Sequence, residues 1–126
     1  MQPSVEHGRL AVTARKCGDC HQSPDLRDGV LSGQTTPIMD YPQAYGSNLT
    51  PDPDTGMDAW DAGTIANALR RGIDDQGQPL CAPMPRFADM SDDEAVAIAA
   101  YLQSLVPVWH AVPATVCASR SAADGG

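Results

Sequence analysis

Cys17-Gly18-Asp19-Cys20-His21 is the most chemically specific run in the sequence. Two thiols three positions apart at the end of a helix reach the two vinyl groups on one side of a porphyrin. The resulting thioethers pin the ring, and the next residue's imidazole then falls beneath the iron. This is the pattern of c-type haem attachment. Neutral imidazole is a good axial ligand, and its second ring nitrogen is expected to donate to a backbone carbonyl that fixes the tautomer. The Ser23-Pro24 turn just beyond His21 makes Pro24 the expected acceptor. A zinc site would need a second closely spaced ligand pair, but Cys81 and Cys117 stand alone. A redox dithiol of the thioredoxin kind would sit in alternating strands and helices, which this chain does not suggest.

Met84, between Pro83 and Pro85, is the leading candidate for the sixth iron ligand. Flanking prolines stiffen the backbone and remove amide donors, so a thioether can be held toward iron. A His/Met pair stabilises ferrous iron and raises the reduction potential. Met39, Met57 and Met90 are alternatives, and His7 or His110 would give bis-His ligation. Trp60, Arg70 and Arg71 are candidates to hydrogen-bond or neutralise a haem propionate. The carboxylates of Asp52, Asp54 and Asp58 are spaced closely, but they lack the glycine placement and distal glutamate of an EF-hand. A proline-rich turn leading to a helix cap fits them better than calcium.

Cys81 and Cys117 remain once haem takes its pair. In an exported protein, a leftover even pair suggests a disulfide. It would close a loop around Met84 and the last helix, worth roughly 3–4 kcal/mol in the chain-entropy account.

Three helical segments must position these groups. The first runs from about Val5 into Cys17, with a small face of Gly8, Ala11 and Ala14. The second covers about Ala59 to Arg71, capped by Asp58 and stopped by Gly72. The third begins at the capping box Ser91–Glu94 and carries Ile98, Ala99, Leu102, Leu105 and Val106 on one face before Pro107. The stretches at about 22–57 and 73–90 are rich in proline. Irregular stretches of this length make sense in a compact domain if they wrap a cofactor.

The chain has 126 residues, 42% of them hydrophobic, with 11 Gly and 11 Pro. Its aromatic residues are Trp60, Trp109, Tyr41, Tyr45, Tyr101 and Phe87. A fold so poor in large rings is stabilised weakly by burial alone, and a bound macrocycle would supply the missing apolar mass. Sixteen acidic against eight basic residues give a net charge of −8, which argues against nucleic acid and favours steering toward a basic partner surface. No stretch is apolar enough to span a bilayer. MQPSVEHG carries no signal peptide, so the expectation is an exported sequence with its signal already removed. The small polar tail SRSAADGG is expected to be disordered.

Together, the attachment motif, Pro83-Met84-Pro85 and the capped final helix resemble the class I (mitochondrial-type) monohaem cytochromes c, over about residues 4–106. Asn48-Leu49-Thr50-Pro51-Asp52, Thr55-Gly56 and Trp60 look like cytochrome c domains of electron-accepting subunits of bacterial dehydrogenases. The resemblance implies an all-α fold, with three or more helices and long loops wrapped around one covalent haem c. It also implies packing of Gly8 against Tyr101, ligation by His21 and Met84, and electron transfer at an exposed haem edge rather than catalysis. Expected partners are redox proteins such as a dehydrogenase, oxidase or reductase, in the periplasm or otherwise outside the cytoplasm. A haem enzyme or gas sensor with a vacatable sixth site is the alternative. Residues 107–126 form an extension beyond that pattern, tied back by the expected Cys81–Cys117 bridge.

Overall fold

The computed structural model describes residues 3–22, 30–38, 40–80 and 84–115. Among these, the regular structure is helical: α1 (Pro3–Ala14), α2 (Gly18–His21), α3 (Ala62–Arg71) and α4 (Asp92–Gln103). The only β pairings among the described residues are two isolated bridges, Ile38 with Tyr41 and Ile73 with Pro79. The fold is all-α, as expected, and no described helix is long and apolar enough to cross a membrane.

Helix α4 is central and packs on both α1 and α3. Its start is fixed by Ser91, whose hydroxyl accepts from the Glu94 amide at 3.1 Å. Only half of the expected capping box forms, because the Glu94 carboxylate turns to Arg15 instead. The helix ends at Gln103, which leaves Leu105 half-buried in a turn and Val106 78% exposed. Val106 therefore does not extend the apolar face. Ala95, Ala97, Ile98, Ala99 and Leu102 are buried because helices lie against α4 on more than one side.

The α1–α4 crossing depends on one missing side chain. A Cβ at Gly8 would lie 2.0 Å from the Ala97 carbonyl oxygen and 2.7 Å from the Tyr101 Cβ. The backbones thus meet more closely than any side chain would allow, and Tyr101 lies over Gly8 as the family resemblance implies. Helix α1 stops at Ala14 rather than running into Cys17, since Lys16 takes a left-handed conformation with φ 60°. That break lets the chain restart as α2, which carries the attachment motif.

Helix α3 begins later than the apolar pattern suggests. Its cap is Asp61, not Asp58, with the carboxylate accepting from the Thr64 amide and hydroxyl, both at 2.8 Å. Residues just upstream are held in a turn, with the Trp60 amide donating to the Met57 carbonyl. Gly72 ends α3 in the left-handed conformation, as expected. Ile65, Leu69, Met90, Ile98 and Leu102 form the middle of the core, joined by Leu31 from the long loop.

Candidate haem site

Helix α2 and its N-cap Cys17 present Cys17, Cys20 and His21 within a single turn. Cys17 and Cys20 are both free thiols, each partly buried. Burial raises both thiol pKa values, so neither thiol is primed as a thiolate nucleophile of the redox-dithiol kind. Among the described residues, no group of three or more His, Cys, Asp or Glu side chains gathers as for a metal ion. Asp52 is occupied differently: its Oδ2 accepts from the Asp54 amide and from the Thr55 amide and hydroxyl. Those hydrogen bonds, led by the Thr55 hydroxyl, hold its carboxyl below the ordinary range. The run from Asp52 to Asp58 forms a turn closed by these hydrogen bonds.

The Nδ1 of His21 lies 2.8 Å from the carbonyl oxygen of Ser47. A carbonyl only accepts, so Nδ1 carries the proton and Nε2 keeps its lone pair. Among the described residues the acceptor is Ser47; Pro24, the expected acceptor, lies outside them. Burial lowers the His21 pKa, with the Ser47 bond opposing it in part, so the ring stays neutral at physiological pH. A neutral imidazole with Nδ1 anchored and Nε2 free is the form that ligates iron.

Two segments of the long loop build the cradle under α2. The Gly33 amide donates to the His21 carbonyl at 2.8 Å, the Gln34 amide to Gly46 at 3.0 Å and the Leu49 amide to Leu31 at 2.8 Å. A Cβ at Gly46 would fall 1.6 Å from the Cys20 carbonyl oxygen, so the loop backbone lies directly on the peptide between Cys20 and His21. The stretch that sequence alone leaves irregular is thus hydrogen-bonded to the motif at the His21 carbonyl and the His21 ring, and to itself between its two segments.

Met84 and Cys17 are both partly buried against the same apolar cluster, together with Trp60, Met57 and Phe87. Met90 is 1% exposed and is a core residue, its carbonyl accepting from the Arg70 Nε at 2.9 Å. Met39, Pro83, Cys81 and Cys117 lie outside the described residues. His7 is exposed on α1. His110 is held by its Nδ1 to the Ser32 carbonyl at 2.7 Å. Arg70 is engaged at the start of α4 through the Met90 carbonyl and an ion pair with Asp92. Arg71 is exposed.

The donor set therefore fits haem c: two unpaired thiols on one helical turn, an oriented neutral imidazole beside them, and apolar side chains left partly buried around the cluster. When bound, haem supplies an iron that cycles between the ferrous and ferric states. Residues 4–102 match the family described as cytochrome c oxidase, cbb3-type, subunit III. The chain belongs to this family of c-type cytochromes. Membership gives the cytochrome haem c as its cofactor and electron transport, not substrate chemistry, as its role.

Named relatives of the cytochrome are longer than it. One of the nicotinate dehydrogenase subunits of Pseudomonas putida is 33% identical over 114 residues, covering 87% of this chain and 9% of the relative. The cytochrome c subunit of a quinone-dependent alcohol dehydrogenase from Gluconobacter oxydans is 37% identical over 99 residues, covering 77% of this chain and 20% of the relative. A dihaem c-type cytochrome of Cereibacter sphaeroides is 28% identical over 108 residues, covering 82% of the chain and 36% of the relative. The cytochrome thus spans about a third or less of the length of each of these relatives.

Sequence reasoning missed Ser47 and Gly46 as parts of the site. Gly46 carries a weak signal, a glycine just upstream of the Asn48-Leu49-Thr50-Pro51-Asp52 run. The Ser47 contact is made by a backbone carbonyl, for which residue type gives no signal.

Proposed function

We propose that the chain carries one electron at a time on a single haem c. The haem is attached through Cys17 and Cys20, and its iron is ligated by His21 and Met84. The observation that carries this reading is the His21 imidazole, held at Nδ1 by Ser47 with no hydrogen bond at Nε2 among the described residues, directly after two unpaired thiols at the cap and within the same short helix. One Cys-x-x-Cys-His in 126 residues supports one haem, in contrast to the dihaem relative.

Met84 is favoured as sixth ligand because it combines a place on the cluster that also receives Cys17 with flanking prolines; Met57 shares the cluster but not the prolines, Met90 fills the core and His7 is exposed. A closed, six-coordinate iron suits electron transfer better than ligand binding. Trp60, half-buried at the same cluster, is the favoured propionate donor, with Arg71 as an exposed counter-charge. A Cys81–Cys117 bridge would add a covalent clamp on the Met84 side.

The electron donor in this reading is a dehydrogenase subunit or domain, as in the nicotinate and alcohol dehydrogenases among the relatives. The acceptor is a further redox protein, and a surface of net charge −8 suits partners with basic docking faces. The expected location is the periplasm or another compartment outside the cytoplasm, where c-type haem is attached and disulfides persist.

A redox titration followed by absorbance, with a pyridine haemochrome count on denatured protein, tests the reading. One covalent haem per chain, a low-spin spectrum in both states and the Met-to-iron charge-transfer band of the ferric form are expected. High-spin features or rapid carbon monoxide binding would replace the carrier with a ligand-binding haem protein.

A further inference from the structure

We propose that Asn48 is a positioning residue for His21, coupling the C-terminal strap 107–115 to the carbonyl that holds the axial imidazole. The proposal rests on His21 ligating the haem iron.

Asn48 directly follows Ser47, so the two share the peptide whose carbonyl accepts from His21. The residue is 2% exposed, and both ends of its side-chain amide are hydrogen-bonded. The Nδ2 donates to the Val108 carbonyl at 2.8 Å and the Thr55 hydroxyl at 3.1 Å, with a longer approach to the His110 carbonyl at 3.4 Å. The Oδ1 accepts from the Thr50 amide at 2.9 Å and the Thr50 hydroxyl at 2.7 Å. A buried amide satisfied on every side has one orientation available, and it fixes the plane of the peptide to which it is attached.

The strap is held at both ends of this junction. The Val108 amide donates to the Thr50 hydroxyl at 3.0 Å and the His110 amide to the Thr55 hydroxyl at 2.9 Å. The His110 imidazole donates to Ser32, and Thr115 exchanges hydrogen bonds with the Tyr45 backbone. Gly33 closes the assembly: a Cβ there would lie 2.9 Å from the Asn48 nitrogen and 2.7 Å from the Val112 Cγ2. The Ser47–Asn48 peptide is therefore wedged between the backbone under His21 and the strap.

The chemical consequence follows from the bond at Nδ1. A well-placed acceptor makes the imidazole a stronger donor to iron and favours the ferric state. Letting the Ser47 carbonyl drift weakens that bond and favours the ferrous state. Asn48 thus acts on the iron through Ser47 and His21 without touching either the metal or the ring.

The test uses the full-length holoprotein. Asn48→Ala is expected to raise the ferrous-to-ferric ratio at a fixed poise by about threefold or more, and to speed solvent exchange of the hyperfine-shifted His21 Nδ1 proton in its NMR spectrum. Thr50→Val, which removes one partner from Asn48 and one from Val108, is expected to shift both readouts in the same direction by less. It carries the test if Asn48→Ala yields no holoprotein. Ile98→Val, a core truncation on α4, should lower the urea midpoint while leaving potential and proton exchange unchanged. The proposal is overturned if the Asn48 and Thr50 variants lose stability with no change in either readout, or if Ile98→Val shifts both equally. Absence of the His21 resonance from the wild-type spectrum would instead refute ligation by His21, a separate failure.

Discussion

Arg15 and Glu94, 79 positions apart, form a two-pronged ion pair, Nε to Oε2 at 2.5 Å and Nη2 to Oε1 at 3.0 Å. Arg15 stands just after α1 and two residues before the first attachment cysteine; Glu94 lies in the first turn of α4. The same guanidinium sits 4.9 Å from the centre of the Phe87 ring. One side chain thus joins the attachment segment, the final helix and the segment that follows Met84.

This pair makes stability depend on pH in a definite direction. The Arg15 hydrogen bond lowers the Glu94 pKa. A carboxylate whose folded pKa is depressed contributes stability above its unfolded pKa and loses it as pH falls through the folded value. Glu94→Gln should therefore cost about 1 kcal/mol at neutral pH, a difference that shrinks on acidification below the ordinary glutamate range. Urea denaturation at several pH values checks this; a gap independent of pH would show that charge is not the cause.

Gly8→Ala should cost about 2 kcal/mol or more, although alanine is the better helix former. The added methyl meets backbone at Ala97, which cannot rotate away as a side chain would. Thermal melts of the holoprotein measure the loss. Gly63→Ala on α3, where the nearest atom to an added Cβ is the Asp61 carboxylate oxygen at 3.6 Å, should be neutral or slightly stabilising.

Gly46→Ala should impair haem attachment more than it impairs helix content. The new methyl would press on the carbonyl between Cys20 and His21, tilting α2 against the loop beneath it. Haem staining per unit of purified protein, set beside far-ultraviolet circular dichroism, separates the two effects. Equal losses in both would mean the glycine serves the fold generally.

Replacing Met84 with Ala should leave covalent attachment intact and open the sixth position. The expected signs are loss of the ferric charge-transfer band, a lower potential and carbon monoxide binding in the ferrous form. A wild-type-like spectrum in this variant would point to another axial ligand, with Met57 next to be replaced.

Much of the site is legible because it is local. Cys17, Cys20 and His21 declare their chemistry by type and spacing, and one helical turn is enough to bring them together. Ser91 capping α4 and Gly72 ending α3 are likewise decided within a few residues. The helix starts were less legible: Asp58 and Asp61 are equally good cap types, and the choice fell to the residue whose neighbours were free to enter the helix.

Cys17-Gly18-Asp19-Cys20-His21, by itself, carries the attachment reading and names the imidazole proposed to face the haem, because covalent reach and helix pitch are properties of neighbouring residues. Tertiary structure decided what holds that imidazole. The Ser47 acceptor lies 26 residues from His21 and is a backbone carbonyl, a group that every residue carries. Its position is set by loop closure, by Gly46 lying on the Cys20–His21 peptide and by a strap contacting Asn48 from 60 residues away. Arg70 illustrates the same point: its type suits a propionate, but packing placed Asp92 and the Met90 carbonyl within its reach.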